Sequence, residues 1–503
     1  MLVYPAVWGK HHREPVSGGM VPARGQALYI FLISFLNIIL LLTPYAINQP
    51  QASFMSTDMQ TLSIVGNRAG VMAMGNVVAL VLFSARNNVL LYITDWSYST
   101  YLLLHRWLGY WSIFHTVLHS FMLMANYMAT GTYGVELARK YWIWGIVGTI
   151  AACAILPFSL LSVRQKFYEV FLVSHILLSL LFVIGYYYHI WYVYGYSWGY
   201  EIWMFIAVGI WGVDRVIRLS RMAFQGSRTA ILTAIEDVDG EYIRIDIEGK
   251  LLDGGVAYLC FPTLGWRFWE THPFSVVLPS ICANFEGTST SASDQNTTPM
   301  PISKGISEKS LGASQTGTVA TISTNDRKDS TTTFFTRTRT GVTKQLASRV
   351  HGVGGSSARL RVLIDGPYWH SGRVSLQVAQ CSGILCIAGG VGITACLPYL
   401  AQSSTNNTKL FWSNRKAGLA TALAPILSAL PNTVQVEITV GQRLDLDSIL
   451  SREMLRPDND RGLAIVVCGP PGMADDVRQK VTWLVRSNPA CCAYVLVDEA
   501  FGW

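Results

Sequence analysis

The side chains in this chain best suited to metal or redox chemistry are imidazoles embedded in otherwise apolar runs. HRWLGYWSIFHTVLH holds His105, His115 and His119, and YEVFLVSHILLSLLFVIGYYYHIWYVYG holds His175 and His189. One interval occurs twice, since 119 − 105 and 189 − 175 both give 14. Fourteen helical steps bring a side chain back to within about 40° of its first direction and about 21 Å along the axis. Each run, as a helix, shows two imidazoles on one face, one toward each end. If the two helices run parallel, His105 faces His175 and His119 faces His189. Two stacked bis-imidazole sites suit two haems with irons about 20 Å apart, and imidazole on both faces leaves the iron no open position, which favours electron transfer. His115 has no counterpart in the second run and is assigned to packing or to support of a ligand.

Such helices need a bilayer, and the composition supplies one. The 503 residues are 51% hydrophobic and only 14% charged. Six apolar segments, beginning near Ala27, Ile64, His105, Tyr141, Tyr168 and Trp198, are long enough for a hydrocarbon core of ~30 Å. The first is longer than a signal-peptide core and lacks a small-residue cleavage site, so it is expected to stay as an anchor. Lys10, Arg13, Arg24, Arg86, Arg164, Lys166, Arg215, Arg218 and Arg221 fall on one side of six alternating spans, which makes that side the cytosol; Arg139 and Lys140 dissent. The N-terminus and the half after the sixth span are then cytosolic. Topology accounts for the net charge of +7, so no nucleic-acid partner is expected. The nine cysteines lack metal-finger spacing and suit reduced thiols. Arg68 and Arg86, near the outer and inner ends of the second span, lie at the depths of the two proposed haems, where guanidinium could pair with propionate.

The second half has the texture of a soluble fold. TAILTAIEDVDGEYIRIDIEGK alternates through Ile243, Ile245 and Ile247 around an Asp-Gly turn, predicting antiparallel strands of a small barrel. HPFSVV, His272 to Val277, comes next. A Ser/Thr/Gly-rich stretch from about 287 to 333 lacks the apolar residues for a core and is expected to be a disordered insert. The barrel resumes at FFTRTRTGVTKQL. SGILCIAGGVGITACLPYL then reads as strand, glycine turn and helix, with Gly390-x-Gly392-x-x-Ala395 fitting a dinucleotide-binding turn. A second strand ends at Cys468-Gly469-Pro470, where open α/β sheets bind ligands.

Taken together these motifs resemble the ferric reductase and NADPH oxidase superfamily, and within it the fungal ferric-chelate reductases, through RNN after the second span, LHRWLGYW and WGVDRVIRLSR. The resemblance runs from about Ala27 to Trp503, the insert excepted. It implies a six-helix transmembrane di-haem bundle followed by a ferredoxin–NADP reductase-like module, an antiparallel β-barrel FAD domain plus an α/β nucleotide-binding domain. By resemblance His272, Pro273, Phe274 and Ser275 flank the flavin, with the Ser275 hydroxyl near its reactive edge. The resemblance likewise implies that Gly341, Val342 and Thr343 contact FAD phosphates, that Gly389, Gly390, Gly392, Ile393, Thr394, Cys468, Gly469 and Pro470 bind NADPH with Arg415 on its 2′-phosphate, and that Phe501 in DEAFGW covers the flavin, with Trp503 as the alternative ring. Ser275, Phe501 and Cys468 are then the candidates for catalytic positions.

The expected organisation is a cytosolic segment 1–26, a membrane haem domain 27–222, a FAD barrel 223–375 and an NADPH domain 376–503. The expected activity is electron transfer from cytosolic NADPH through FAD and two b-type haems to a ferric chelate or siderophore, with cupric ions as a further acceptor left open. Membrane lipid is the other expected partner. A superoxide-generating NADPH oxidase is the alternative, kept open by Arg68. The membrane is plasma or vacuolar.

Overall fold

The computed structural model describes residues 11–16, 19–235, 241–277, 331–351, 357–368, 372–403, 405–456 and 459–499. It divides into two compact units, Met1–Phe224 with Trp369–Gly389 and Leu444–Trp503, and Gln225–Tyr368 with Gly390–Arg443.

The first unit opens with helices α1 (Arg24–Leu42), α2 (Thr57–Ser84), α3 (Val89–Thr94), α4 (Tyr98–Ala129), α5 (Tyr133–Leu137), α6 (Lys140–Phe158), α7 (Leu161–Lys166), α8 (Tyr168–Tyr194) and α9 (Glu201–Gln225). Among the described residues four helices, α1, α2, α6 and α8, are long and apolar enough to cross a membrane. The expected count was six. The third and sixth segments do form long helices, α4 of 32 and α9 of 25 residues. Their imidazoles and charges, such as His105, Arg106, Asp214 and Arg218, keep them out of the apolar group. α2 and α4 also begin ahead of the apolar runs at Ile64 and His105, because Ser56 and Ser97 cap them by accepting from the amides of Met59 and Thr100.

Small residues set the packing. α4 lies along α2 and α8 along α6. A Cβ built on Gly185 of α8 would stand 2.8 Å from the Gly148 nitrogen of α6, so these backbones nearly touch. Large apolar side chains such as Phe31, Leu42 and Leu177 point outward, as lipid-facing surfaces require.

In the second unit β1 (Arg228–Ala234), β2 (Tyr242–Glu248), β3 (Val256–Cys260), β4 (His272–Ser275), β5 (Thr331–Arg337) and, after α10 (Val342–His351), β6 (Ser357–Tyr368) form one antiparallel sheet in the order β4-β3-β6-β1-β2-β5. The two outer strands meet where the Val277 amide donates to the Thr333 carbonyl at 3.1 Å, which closes the barrel. The alternating Ile243, Ile245 and Ile247 face inward and join Leu232, Phe334 and Ile364 in its core. The Asp-Gly turn between β1 and β2 lies outside the described residues. So does most of the Ser/Thr-rich stretch, except that β5 starts at Thr331, so its last three residues are strand. Their β-branched side chains suit a strand, and the Thr332 hydroxyl donates to the Lys250 carbonyl while Thr333 holds Asp246.

From residue 372 helices and strands alternate: α11 (Gly372–Gln380), β7 (Gly383–Gly389), α12 (Ile393–Ala401), β8 (Asn407–Asn414), α13 (Gly418–Ser428), β9 (Val434–Val440), α14 (Leu446–Met454), β10 (Leu463–Cys468), α15 (Pro471–Ser487) and β11 (Tyr494–Asp498). In the first unit β10 pairs in parallel with both β7 and β11; in the second β8 pairs in parallel with β9. β10 is buried at every position, as a strand covered on both faces must be.

Candidate functional site

α4 and α8 each run unbroken through both of their histidines. The rings of His105 and His175 lie with centroids 6.3 Å apart, and those of His119 and His189 5.9 Å apart. With a metal–imidazole bond of about 2.0 Å and the centroid about 1.2 Å behind each nitrogen, two axial imidazoles put their centroids about 6.4 Å apart. Both pairs match that spacing.

Each ring is also oriented. His105 Nδ1 bonds the Leu80 carbonyl at 2.9 Å, His119 Nδ1 the Gly66 carbonyl at 2.8 Å and His189 Nδ1 the Tyr141 carbonyl at 2.9 Å. His175 Nδ1 faces the Ser159 hydroxyl at 3.4 Å. A carbonyl on Nδ1 fixes the proton there and leaves Nε2 as the metal-binding nitrogen. Each pair therefore offers two nitrogens of the kind a haem iron would take, so the residues present would fit one such group per pair. The His119–His189 pair repeats one device. Gly70, four residues after Gly66, and Gly145, four after Tyr141, would each place a Cβ 2.8 Å from the Nδ1 of the histidine concerned. Glycine thus clears room for the ring to reach the carbonyl one turn earlier. The sequence reading overlooked both glycines, although a glycine four residues after a helical position facing an intramembrane histidine was the signal available.

His115 is held elsewhere. It is fully buried, with Nε2 3.0 Å from Asn37 Oδ1, an atom that also accepts from Asn76 at 2.7 Å, so it ties α4 to α1 and α2.

Of the two arginines expected beside the haems, Arg68 is held elsewhere. Arg68 donates to the carbonyls of Thr43 at 2.6 Å and Pro44 at 2.8 Å and lies 4.2 Å from the Tyr45 ring, so it caps the end of α1. Gly66 and Gly70 face His119, and two helical steps from either turn a side chain by about 200°, which points Arg68 away from the His119–His189 pair. Arg86 stands in the turn after α2, where the next residue, Asn87, is bonded to Asp214 at 3.0 Å and to Arg221 at 2.9 Å.

In the barrel, HPFS is β4 itself. Ser275 and Phe274 are buried, and His272 Nε2 lies 3.0 Å from Glu270, which Arg267 also holds at 3.1 Å. Gly341 takes φ +70°, turning the chain into α10. The Val342 side chain is in the barrel core, so only its amide could meet a phosphate; the side chain is no contact. Thr343 bonds the Arg339 amide at 2.9 Å, and the α10 N-terminus adds its dipole.

The same distinction holds in the GGVGIT turn. Gly390 takes φ +56°, its carbonyl accepts from Trp412 at 2.9 Å, and Ile393 and Thr394 are buried, which leaves the backbone amides as the groups that could meet a phosphate. Arg415, just past β8, is 72% exposed and 3.7 Å from Glu241. In the first unit, a Cβ on Gly389 would meet Pro470 at 2.8 Å, and one on Gly469 would come within 3.1 Å of the Gly389 nitrogen. The Cys468 thiol is buried and donates to the Glu499 carbonyl at 3.2 Å, so it is spent on the β11 end rather than presented to a substrate. Phe501 and Trp503 lie outside the described residues.

Facing histidine pairs within a bundle that includes four membrane-type helices, followed in one chain by a closed antiparallel barrel and parallel α/β strands, define a multidomain membrane protein. Residues 69–186, which include three of the four paired histidines, match the family described as ferric reductase like transmembrane component. The whole chain is similar to fungal proteins named for this activity. It is 27% identical over 468 residues to the ferric/cupric reductase transmembrane component 1 of Candida albicans, covering 89% of this chain and 53% of that protein. It is 24% identical over 554 residues to the ferric reductase transmembrane component 3 of Saccharomyces cerevisiae, covering 97% and 69%. The chain thus spans 53% and 60% of the lengths of the two Candida albicans proteins it matches.

Proposed function

We propose that this chain carries electrons across a membrane from cytosolic NADPH, by way of FAD and two b-type haems, to a ferric chelate on the far side. The observation that carries the reading is the pairing of four histidines whose Nδ1 atoms are all engaged. His105 with His175, and His119 with His189, would hold the haems. Flavin, when bound, takes a hydride's two electrons and passes them singly to a one-electron carrier, the step that joins nicotinamide to haem. Gly341 to Thr343 would orient the flavin phosphates through backbone amides, Ser275 would stand near its edge, and the amides of Gly390 to Thr394 would hold the dinucleotide. The proposed membrane part is 27–222, with both termini and the domains at 223–375 and 376–503 in the cytosol. Arg68, on which the oxidase alternative rested, is taken up by the α1 terminus.

Cells expressing the full chain, given a ferric chelate and NADPH, should reduce iron at a rate insensitive to superoxide dismutase. Reduction abolished by the dismutase would turn the assignment to an oxidase, and no reduction would remove it. Arg415→Ala should raise the KM for NADPH by about tenfold, the order of one lost charge-assisted contact, and leave that for NADH unchanged. Parallel titrations of the two nucleotides check it; equal shifts would take Arg415 off the 2′-phosphate.

A further inference from the structure

Residues His12 to Glu14, ahead of α1, join a network of buried charges with α15 and β11. The amides of His12 and Glu14 donate to Asp475 Oδ2 at 3.0 and 2.9 Å, and the Arg13 amide donates to both carboxylate oxygens at 2.9 Å. Asp475, in the second turn of α15, is fully buried and also receives Arg478 at 2.8 Å. The Arg13 guanidinium meets Asp498, the last residue of β11, at 3.0 Å, and Arg478 bonds Asp498 as well. The Glu14 carboxylate lies against Gly472 in the first turn of α15, where the helix dipole favours an anion. His12 is pushed down to about 4 by burial beside Arg478, so it is neutral at cytosolic pH and anchors the segment through the Val21 carbonyl at 2.6 Å. His11, Glu14 and Asp475 bring ligand atoms within 4.8 Å of one another. Three amides and a guanidinium already occupy Asp475, however, and Arg478 would repel a cation there.

Both acids adjoin the Cys468-Gly469-Pro470 turn. α15 leaves that turn at Pro471, and the residue after Asp498, Glu499, donates its amide to Val467 at 2.9 Å and accepts from the Cys468 thiol. We propose that the N-terminal strap His12–Glu14 is a working part of the nicotinamide-nucleotide site, in which Arg13 and Asp475 are positioning residues that hold the two chain segments flanking Cys468. The strap acts without touching a cofactor, by setting the shape of the turn that would. The inference rests on the NADPH reading above.

The test uses the full chain in proteoliposomes with haem and flavin bound. Arg13→Ala and Asp475→Asn should raise the KM for NADPH about tenfold, the loss expected for a hydrogen bond to a charged group, while the dithionite-reduced haem spectrum stays as in the parent. Arg13→Lys should recover most of the affinity, a rescue that general loosening would not give. Hydrogen exchange at the Glu499 amide should quicken in Arg13→Ala, which reads the strap with no nucleotide present. Unchanged NADPH KM and flavin-reduction rate in the variants overturn the inference whether or not that amide exchanges faster. Arg13→Ala decides alone if Asp475→Asn does not fold. A parent chain that leaves NADPH unoxidised removes the nicotinamide reading and this inference with it, whereas an active parent with unaltered variants removes the strap's role only.

Discussion

His119→Leu is expected to halve the haem content and stop iron reduction at the far side while leaving flavin reduction by NADPH intact. Leucine keeps much of the ring's volume but offers no nitrogen, so His189 loses its partner across the 5.9 Å gap. Losing an outer-shell partner of a metal ligand costs about 10–100-fold, and losing the ligand itself should cost at least about a hundredfold in reduction of the chelate. His189→Leu should give the same phenotype, because the two rings serve one site. The reduced-minus-oxidised absorbance per flavin measures it. A full two-haem spectrum in either variant would show that these rings do not form an axial pair.

Gly185→Val should be almost as damaging, although it touches no ligand. Its Cβ would stand 2.8 Å from the Gly148 nitrogen, 2.9 Å from the Gly148 Cα and 3.1 Å from the Trp144 carbonyl. All three are backbone atoms, so no rotamer change can relieve the clash and α8 must move off α6. Overpacking of this kind costs about 1–3 kcal/mol. The larger consequence is geometric, because His189 follows Gly185 by one helical turn and depends on the Tyr141 carbonyl of α6 for its orientation. Haem should be lost from the outer pair first. Gly209→Val on α9, where a Cβ meets nothing within 4 Å, is the matched control and should keep both haems. Equal haem content in the two variants would dismiss the α6–α8 contact as a determinant.

The sequence showed what periodicity can show. The repeated interval of 14 put the four histidines on two faces, and the alternation at Ile243, Ile245 and Ile247 named the inward side of β2. It could not show azimuth between helices. Depth alone places Arg68, and depth is shared by residues on opposite sides of α2; the arginine's bonds to Thr43 and Pro44, with Gly66 and Gly70 turned to His119, reveal that it faces α1. Hydrogen bonds to main-chain carbonyls were equally hidden, since every residue carries one, and so the partners of His105, His119 and His189 had no residue-type signature. Motif residues raised the opposite difficulty. Val342 and Ile393 stand in recognisable binding turns yet point into cores, because a turn that offers its amides outward sends some side chains inward. The strap escaped notice because its acceptors, Asp475 and Asp498, lie more than 450 residues away along the chain.

Barrel closure has a consequence for how this chain can vary. The bond from Val277 to Thr333 fixes two points of the chain against each other. With those points held by the barrel, each doubling of the number of residues between them changes the closure entropy by only about 0.6 kcal/mol, so the strands set the sheet's closure and the intervening length does not.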